Sequence, residues 1–530
     1  MKNSNAPNTA MTMLLLVVFA IASMSAAIRV HPSEYHPAES LEEEYHQLLR
    51  RRLVSKQVTG SEENHRVTSL PMLNQLPTEF YAGHLPASSD GDKKIFYWLV
   101  APPPQARASS DTPLVIWLNG GPGCSSMEGF FLENGPLKFV LQNDQWQLVP
   151  DPSSWHLAPA WVLYVDQPVG TGLSFTRSGM YAKNDYEVNT DFTYFLEEFL
   201  MFHKNLFLLE GTMEMNKKLF FSGESHAGHY IPSMMDFIIR KQDGRVKIHI
   251  GGAAIGNGWI DPYHQYSAAE AAYGMGLISL GQKSHFDAME KQCQENLTNG
   301  IHNSQPCYNL LDMIVEQSHG VSAKTQVSMY DYTKIEVKNR PRSFPEGHEV
   351  IEAYLGGLTP PRNGKWDVDF QEVLRAIHAS ESFDANQHYR ECTDPPYEAL
   401  SHQDGEGVSE EIARLLEANV RLMFFNGMRD LVCNHISMDR ALLKLPWSQA
   451  TSWAIAGRST WALSSDQLPA AYVQEHGSLL YLKILNSGHM VPKDQPEVAL
   501  AMMQSFLYNK SFQTSVQQLD RDPQIEAACR

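Results

Sequence analysis

Short apolar runs alternate with amphipathic segments through most of the chain. The apolar runs are rich in β-branched and aromatic residues, which is typical of strands at the centre of a sheet. These predicted strands are 114–118, 161–165, 218–221, 248–255, 420–425 and 479–485. Apolar residues recur at helical spacing in 188–209, 231–239 and 497–507. The alternation predicts a mostly parallel central sheet with helices on both faces.

The region from 261 to 365 interrupts this rhythm with many polar residues, so we interpret it as an insertion that forms a cap. Residues 28–67 are charged and lack a clean apolar period. They fit a leader or pro-segment, and an ordinary flexible extension explains them equally well. The predicted division is a signal peptide 1–27, a leader 28–67, a first core part 68–260, an inserted cap 261–365, a second core part 366–508 and a C-terminal tail 509–530.

The first residues carry a targeting pattern. An apolar run at 11–24 ends in Ser-Ala-Ala, which is typical of a secretory signal peptide cleaved near Ala27. The alternative is an uncleaved anchor, but the run is short for crossing a bilayer. Two sequons, at Asn296 and Asn509, fit glycosylation on a secretory route. We therefore expect a lysosomal, vacuolar or extracellular protein with no stable membrane anchor.

Composition excludes one class of partner and limits the choice of cofactor. The net charge of −18 at pH 7 argues against nucleic acid, because phosphates require a basic surface. None of the six cysteines lies in a C-x-x-C pair, so we expect no zinc site. We expect no other metal and no cofactor. An oxidising route would allow disulfides, although six cysteines permit many pairings.

Ser225 is the strongest candidate for chemistry. It lies in the glycine-bounded stretch 223–229, between the strand predicted at 218–221 and the helix predicted at 231–239. A serine on a tight turn between a strand and a helix is a nucleophile elbow, in which the turn lifts the hydroxyl to the end of the sheet. The alternative is a serine that only caps the helix.

Two further candidates follow late predicted strands. Asp430 follows the strand at 420–425, and His489 follows the strand at 479–485. Catalytic groups of open α/β sheets gather beyond the carboxyl ends of the strands, so both side chains can meet Ser225. A serine hydroxyl needs a base, itself oriented by a carboxylate. The order serine, aspartate, histidine is that of the α/β-hydrolase fold, which we predict here.

Acyl transfer also needs backbone donors for an oxyanion. The amide of His226, directly after the candidate nucleophile, is one such donor. The glycine-rich turn 119–123 follows the strand at 114–118 and is the expected source of the other. A plain Gly/Pro turn is the alternative for that segment.

Five motifs make the sequence familiar when they are taken together. They are Trp-Leu-Asn-Gly-Gly-Pro-Gly-Cys-Ser-Ser at 117–126, Glu-Asn-Gly-Pro at 133–136, Asp-Gln-Pro-Val-Gly-Thr-Gly at 166–172, Gly-Glu-Ser at 223–225 and Gly-His-Met-Val-Pro at 488–492. This combination closely resembles the serine carboxypeptidases, the family of cathepsin A and of the yeast and plant enzymes. The continuation after Cys124 resembles the hormone-processing branch.

The resemblance implies a role for each candidate in catalysis. Ser225 would be the nucleophile, His489 the general base and then the acid, and Asp430 the group that orients the imidazole. Gly121 and His226 would supply the two oxyanion amides.

The resemblance also implies a site for the terminal carboxylate of the substrate, formed by Asn119, Gly120, Glu133 and Glu224. Ionised carboxylates repel a substrate anion, but a protonated acid can donate a hydrogen bond to it. Two close carboxyl groups share a proton because both cannot easily ionise. We therefore expect better peptide turnover in acid than at neutral pH. A solvated loop acid is the alternative for Glu133.

The family's cysteine pattern implies two disulfides and one free thiol. Cys433 matches a free thiol beside the active site, while Cys529 has no obvious partner. The implied disulfides join Cys124 to Cys392 and Cys293 to Cys307.

The chain departs from the family pattern near the expected site. His226 stands where the family usually has tyrosine, a side chain that helps to line the pocket before the scissile bond. Met428 fills the first acidic place of a stretch that commonly reads Gly-Asp-x-Asp, and 330–332 only partly resembles the family's Tyr-Asp element. We expect these changes to alter specificity more than catalysis.

The expected activity is that of a serine-type carboxypeptidase, which hydrolyses the C-terminal bond of peptides and proteins through an acyl-enzyme. Acyl transfer to an alcohol or amine is a second possibility, and a non-catalytic stabilising or binding protein is a third. The presence of Glu133 and Glu224 favours peptide substrates, and the intact serine, aspartate and histidine favour catalysis. The sequence leaves a homodimer open.

Overall fold

The apolar runs identified in the sequence are neighbouring strands of one large sheet. The computed structural model describes residues 61–512 except 242–243, 318–324, 338–346, 362 and 465–466. The predicted signal peptide, the leader up to residue 60, the tail beyond 512 and Cys529 lie outside the described residues. The chain divides into the units Met1–Thr59 and Gly60–Arg530, and every described residue belongs to the second.

The described strands coincide with the apolar runs in the middle of the sheet and extend the sheet on both sides of them. The strands are β1 Arg66–Val67, β2 Phe80–Pro86, β3 Lys93–Val100, β4 Leu114–Leu118, β5 Leu137–Gln142, β6 Gln145–Pro150, β7 Trp161–Val165, β8 Phe175–Thr176, β9 Leu219–Glu224, β10 Ile250–Gly256, β11 Thr325–Val327, β12 Ile335–Val337, β13 Arg421–Gly427, β14 Arg458–Trp461, β15 Ala471–His476 and β16 Leu479–Ile484.

The main sheet has the order β1-β2-β3-β7-β4-β9-β10-β13-β16-β15-β14, and β8 pairs with β3. The six strands from β7 to β16 pair in parallel. Both edges of the sheet are antiparallel. The prediction of a parallel central sheet is confirmed, whereas the antiparallel edges were not predicted. β1 lies within the segment predicted as a leader, and its Val67 is buried.

Helices connect the parallel strands and fill the region between the two core parts. They are α1 Asp185–Phe202, α2 Lys204–Phe207, α3 Ala227–Arg240, α4 Pro262–Gln265, α5 Ala269–Gly274, α6 Leu280–Thr298, α7 Gln305–Gln317, α8 His348–Gly356, α9 Phe370–Ala376, α10 Ser380–Asp384, α11 Asp394–Leu400, α12 Ser409–Glu417, α13 His435–Leu443, α14 Ala450–Ile455, α15 Val491–Asp494 and α16 Pro496–Leu507. Shorter turns are the 3-10 helices Glu62–His65, Pro104–Ala106, Trp155–Leu157 and Ser401–Gly405, and the π-helix Gly129–Glu133.

Adjacent residues of β9 show that helices cover both faces of the sheet. Phe220 and Phe221 point to opposite faces because successive strand side chains alternate. The ring of Phe221 lies 6.1 Å from Phe192 of α1. The ring of Phe220 lies 5.8 Å from Phe506 of α16. Helices on two faces of a parallel centre give the predicted α/β-hydrolase architecture.

Residues 261–365 contain the helices α4 to α8 and the antiparallel hairpin of β11 and β12. Phe286 and Ile314 are buried in a small apolar cluster that also includes Leu431 from the second core part. Because this cluster is separate from the cluster under the main sheet, the segment has an apolar centre of its own. Its division from the core at 261 and 365 stays a prediction.

Neither the helices nor the end of the described chain show a separate membrane segment or a detached tail among the described residues. In the described ranges, we find no helix with the length and apolarity that crossing a bilayer requires. The start of the predicted tail packs on the core, since Phe512 is buried with its ring 5.5 Å from Trp461.

Candidate active site

Ser225 occupies a tight turn between β9 and α3. Its φ of 59° lies in the left-handed region, which is strained for a residue with a side chain. Its amide donates to the carbonyl oxygens of Gly256 and Asn257 at 3.2 Å each, and its own carbonyl accepts from the amide of Trp259 at 2.8 Å. These bonds tie the turn to the end of β10 and hold the strained conformation.

Asp430 and His489 meet beyond the ends of β13 and β16. Nδ1 of His489 lies 2.8 Å from Oδ2 of Asp430, and both residues are buried. With Nδ1 donating to the carboxylate, the neutral ring leaves Nε2 free to accept a proton. Burial opposes the charged imidazolium, but the charge and hydrogen bond of Asp430 outweigh it and raise the pKa of His489. A stabilised imidazolium suits a general base.

Asn257 is a member of this group that sequence reasoning did not single out. Its Nδ2 donates to Oδ2 of Asp430 at 2.7 Å, and its Oδ1 accepts from the amide of Gly427 at 3.1 Å. Because the main chain of Asn257 also accepts from the amide of Ser225, it connects the serine turn to the carboxylate. The only sequence signal was its place directly after β10, between two glycines.

The segment predicted as a cap contacts the imidazole. The amide of His489 donates to the carbonyl oxygen of Tyr330 at 2.8 Å, and the two rings lie 5.2 Å apart. The partial Tyr-Asp element at 330–332 is therefore a backbone support for His489.

The glycine-rich turn after β4 packs directly against the serine turn. A Cβ atom at Gly120 would lie 2.5 Å from the amide nitrogen of His226 and 2.8 Å from Cβ of Ser225. Such contacts are too close for any side chain, so glycine is required for the approach. Gly121, Ser225 and His226 line one cavity. The two candidate oxyanion donors thus lie at the same place as the candidate nucleophile.

A buried carboxylate supports the glycine-rich turn from beneath. Oδ1 of Asp166 accepts from the hydroxyl of Ser125 at 2.6 Å and from the amide of Ser126 at 3.0 Å, while Oδ2 accepts from the amide of Leu173 at 2.9 Å. Burial raises the pKa of Asp166 to about 6. The motif at 166–172 is therefore structural.

Asn119 holds the two predicted carboxylate-binding acids together. Its Nδ2 donates to Oε1 of Glu133 at 3.2 Å and to Oε1 of Glu224 at 3.3 Å. Its Oδ1 accepts from Nε1 of Trp117 at 2.7 Å and from the amide of Gly129 at 3.1 Å. Both oxygen contacts come from donors, so the amide orientation is fixed and its NH₂ group must face the acids.

Burial disfavours the ionised form of both acids. Burial and the charge of Glu128 raise the pKa of Glu133 to about 7. Burial and the charge of Glu133 raise the pKa of Glu224 well above its usual range. A close buried pair of this kind keeps a proton at acidic pH.

Two more buried acids, which no motif indicated, extend the pair. Burial raises the pKa of Glu128, and burial together with the charge of Glu128 raises the pKa of Glu391 well above its usual range. Glu391 precedes Cys392, which forms a disulfide with Cys124 in the structure. Glu128 and Glu391 come together because that bond joins their segments.

The remaining predicted residues are the free cysteine, the two sequon asparagines and the second disulfide. Cys433 is a buried free thiol whose Sγ lies within 4.8 Å of ligand atoms of Asp430 and His489. Burial and the charge of Asp430 raise its pKa well above the usual range. Asn509 is exposed, whereas Asn296 is half-buried and donates to the hydroxyl of Ser304 at 2.9 Å. The structure also contains the disulfide that joins Cys293 of α6 to Cys307 of α7.

The fold and this arrangement define an α/β-hydrolase. The sequence profile of the serine carboxypeptidases matches residues 71–509. Pheromone-processing carboxypeptidase KEX1 of Phytophthora infestans is 31% identical over 508 residues, which cover 95% of this chain and 77% of the relative. Serine carboxypeptidase S10 family member 2 of Dictyostelium discoideum is 32% identical over 480 residues, covering 88% and 80%.

A solved structure agrees with these matches. The crystal structure of a prohormone-processing carboxypeptidase from Saccharomyces cerevisiae superposes with a TM-score of 0.72 at 25% identity, covering 85% of this chain and 96% of that one. The chain belongs to the serine carboxypeptidase family, and it is a hydrolase of that class. The resemblance stated from the five motifs is confirmed.

Proposed function

We propose that this protein removes single C-terminal residues from peptides and proteins through an acyl-enzyme intermediate. The observation that carries the proposal is the position of Glu224. This buried acid shares Asn119 with Glu133 and directly precedes Ser225. A carboxylate bound there lies so near the nucleophile that only the last peptide bond of a substrate reaches the serine hydroxyl.

In the proposed first half of the reaction, Oγ of Ser225 attacks the carbonyl carbon while Nε2 of His489 takes the hydroxyl proton. The amides of Gly121 and His226 stabilise the oxyanion, and Asp430 stabilises the imidazolium. His489 then gives its proton to the departing amino group. The C-terminal residue leaves, and an ester to Ser225 remains.

In the second half, water attacks the ester carbonyl and His489 accepts a proton from that water. The tetrahedral intermediate collapses, the proton returns to Oγ, and the shortened peptide leaves with a new carboxylate. Asn119, Gly120, Glu133 and Glu224 bind the substrate's terminal carboxylate in the first half. The N–H groups of Asn119 and Gly120 can donate at any pH, whereas Glu133 and Glu224 can donate only when protonated, so at least one of these acids must be neutral.

That requirement gives the reaction an acidic preference. Glu133, with a pKa of about 7, supplies a neutral donor below that pH and a repelling charge above it. At low pH the imidazole of His489 is protonated and cannot accept the serine proton, so its pKa sets the lower pH limit of activity.

We further propose that the enzyme works on peptides in the secretory pathway, in a lysosome or vacuole or outside the cell. The signal-peptide pattern, the two disulfides and the exposed sequon at Asn509 support this setting. The names of the relatives, which describe pheromone and prohormone processing, favour peptide precursors as substrates. A homodimer is testable by sedimentation of the purified protein.

The experiment compares purified wild type with Ser225→Ala on a blocked dipeptide and on the same dipeptide with a C-terminal amide. We expect free amino acid from the first substrate, much less product from the second, and none with the variant. An ester or amide product formed with added alcohol or amine would instead indicate an acyltransferase. An inert wild type would leave the binding protein as the better reading.

A further inference from the structure

One loop of the predicted cap bonds to the turn that carries Asp430. This hairpin loop consists of residues 328–334, between β11 and β12. The carbonyl oxygen of Met329 accepts from the amides of Leu431 and Val432 at 3.0 and 3.1 Å. Because these two residues directly follow Asp430, the hairpin loop holds the stretch of chain that positions the carboxylate.

The same loop bonds to the turn that carries His489. The carbonyl oxygen of Tyr330, the residue after Met329, accepts from the amide of His489 at 2.8 Å. Gly488 permits this approach, because a Cβ atom there would lie 2.3 Å from that carbonyl oxygen and 2.8 Å from Cβ of Asp331. Adjacent carbonyl groups of one loop therefore hold the two turns whose side chains form the imidazole–carboxylate pair.

Three charged side chains close the hairpin loop on the histidine turn. Oδ2 of Asp494 accepts from the amide of Gly488 at 2.8 Å, and its Oδ1 lies 3.0 Å from Nζ of Lys334. The same Nζ lies 3.3 Å from Oδ2 of Asp331, which is buried. Asp494 belongs to α15, so its carboxylate joins the core behind the histidine to the end of the hairpin loop.

The charges of this group are kept in place by their neighbours. Burial opposes the charge of Lys334, but the hydrogen bond and charge of Asp494 outweigh burial and raise the pKa of the lysine. Oδ1 of Asp331 accepts from the amide and the hydroxyl of Thr333 at 3.0 and 2.6 Å, which leaves Oδ2 for the lysine. Among the described residues that line the cavity at Ser225, none is a member of this group. The group is therefore placed to act on the two turns and not on the substrate.

We propose that Asp331, Lys334 and Asp494 are positioning residues for the imidazole–carboxylate pair and act through the hairpin loop. The inference rests on the proposed function for the reaction that the pair serves. The ion pairs keep the loop against both turns, and the loop keeps the imidazole at hydrogen-bond distance from its carboxylate. An error of about 1 Å in such a position can lower a rate about 100-fold.

The test compares kcat and KM for a blocked dipeptide with the rate at which phenylmethanesulfonyl fluoride inactivates the enzyme. In the inactivation, Oγ of Ser225 attacks the sulfur, fluoride leaves, and His489 accepts the hydroxyl proton. This reagent has no terminal carboxylate, so its rate reports the activation of the serine alone. The amount bound at completion counts the folded active sites.

Asp494→Ala removes both the bond to the Gly488 amide and the ion pair with Lys334. We expect kcat and the inactivation rate to fall together by about 10- to 100-fold, with KM and the number of sites little changed. Lys334→Met removes only the ion pairs of a side chain that is 59% exposed, so both rates should fall about 2- to 5-fold. Lys334→Arg keeps the charge and should stay within about twofold of wild type.

Lys283→Met is the matched control. Lys283 lies in the same predicted cap, and its Nζ lies 2.8 Å from Oδ1 of Asp287. Because this ion pair lies within α6, its loss should leave kcat, KM and the inactivation rate unchanged.

Wild-type rates in both Asp494→Ala and Lys334→Met would overturn the inference. A raised KM with a normal inactivation rate would also overturn it, because the residues would then act on the substrate. Fewer sites with a normal rate per site would reduce their role to folding. If Asp494→Ala does not fold, the comparison of Lys334→Met with Lys334→Arg decides, because Lys334 is exposed.

The inactivation rate separates this inference from the proposed function. A wild type that releases no amino acid but still reacts with phenylmethanesulfonyl fluoride at Ser225 would refute the proposed function. The inactivation rates of the variants would then still support or overturn the inference.

Discussion

Asn257 and Asp430 are joined by a 2.7 Å hydrogen bond from Nδ2 to Oδ2, the same oxygen that lies 2.8 Å from Nδ1 of His489. One carboxylate oxygen therefore accepts from two side chains. The second oxygen accepts from the amide of Val432 at 3.0 Å. The carboxylate cannot rotate without breaking these bonds, so the imidazole has a fixed partner.

Asn257→Asp should slow the reaction without weakening substrate binding. Aspartate can still accept from Gly427 but cannot donate to Asp430, and losing a hydrogen bond to a charged group costs about 1.5–3 kcal/mol. We expect kcat to fall about 10- to 100-fold with KM little changed, measured on a blocked dipeptide. A raised KM with normal kcat would show that Asn257 acts on the substrate and not on Asp430.

Asp430→Asn should nearly abolish turnover. An asparagine would place its NH₂ group against a donor, either the amide of Val432 or the side chains of His489 and Asn257. It also has no charge to stabilise the imidazolium. We expect kcat to fall about 10⁴-fold with the fold preserved, measured by steady-state kinetics and circular dichroism. A loss below about tenfold would exclude Asp430 as the orienting group.

The Glu133→Gln, Glu224→Gln double variant should change the pH profile for peptides. Wild-type kcat/KM should decline above pH 7, since Glu133, with a pKa of about 7, loses its proton there. The glutamines stay neutral donors at every pH, so the decline should flatten. The matched C-terminal amide, which has no carboxylate to repel, serves as the control substrate. An unchanged decline in the double variant would remove the acid pair from the substrate site.

Gly120→Ala should disable the proposed oxyanion site while leaving the fold intact. Its Cβ would contact backbone and Cβ atoms of the serine turn at 2.5–2.8 Å, so the 119–123 turn must move away. Losing one oxyanion donor costs about 10²- to 10³-fold in kcat. Gly457→Ala is the control, because a Cβ at Gly457 would meet nothing within 4 Å. Equal activity of both variants would contradict the packing described.

Buried histidines should make the protein less stable in acid. Nε2 of His84 lies 2.8 Å from the carbonyl oxygen of Leu173, and burial lowers the pKa of His84 to about 4. The unfolded chain binds the proton at about pH 6.5, so stability present above that pH is lost as pH falls toward 4, by about 1.4 kcal/mol per unit.

His84→Gln tests this loss, since the glutamine amide can donate to the same carbonyl and does not titrate. The free energy of unfolding, measured in denaturant between pH 7 and pH 4.5, should fall less steeply in the variant. His65, whose pKa burial lowers to about 3, keeps part of the slope in both proteins. Identical slopes would mean that His84 is protonated in the folded protein.

The sequence predicted the centre of the sheet well because buried parallel strands are continuous apolar runs. The run at 114–118 has the same bounds as β4. β9 extends beyond the predicted end at 221 to Glu224, which pairs with Gly256 of β10. The polar side chains of this extension have buried partners: Ser222 donates to the carbonyl of Ala254 at 2.6 Å, and Glu224 is bonded to Asn119. Polar residues interrupt an apolar run, so the run does not predict that the strand continues through them.

Contacts between distant segments account for what the sequence did not reveal. Asn257 and Asp430 are 173 positions apart, and no spacing rule connects them. Glu128 and Glu391 are distant in the chain and come together through a disulfide. The sequence analysis did not predict the antiparallel strands β2 and β3, although 95–100 in β3 is a continuous apolar run like those of the central strands.

The bond between Cys124 and Cys392 spans 268 positions of the chain and encloses the serine turn, the predicted cap and most of the first core part. A protease that nicks the backbone anywhere between these cysteines would therefore leave two polypeptides that stay covalently attached. The nicked enzyme would run as one species on a non-reducing gel and as two after reduction. A single break in that long stretch need not separate the serine from its histidine.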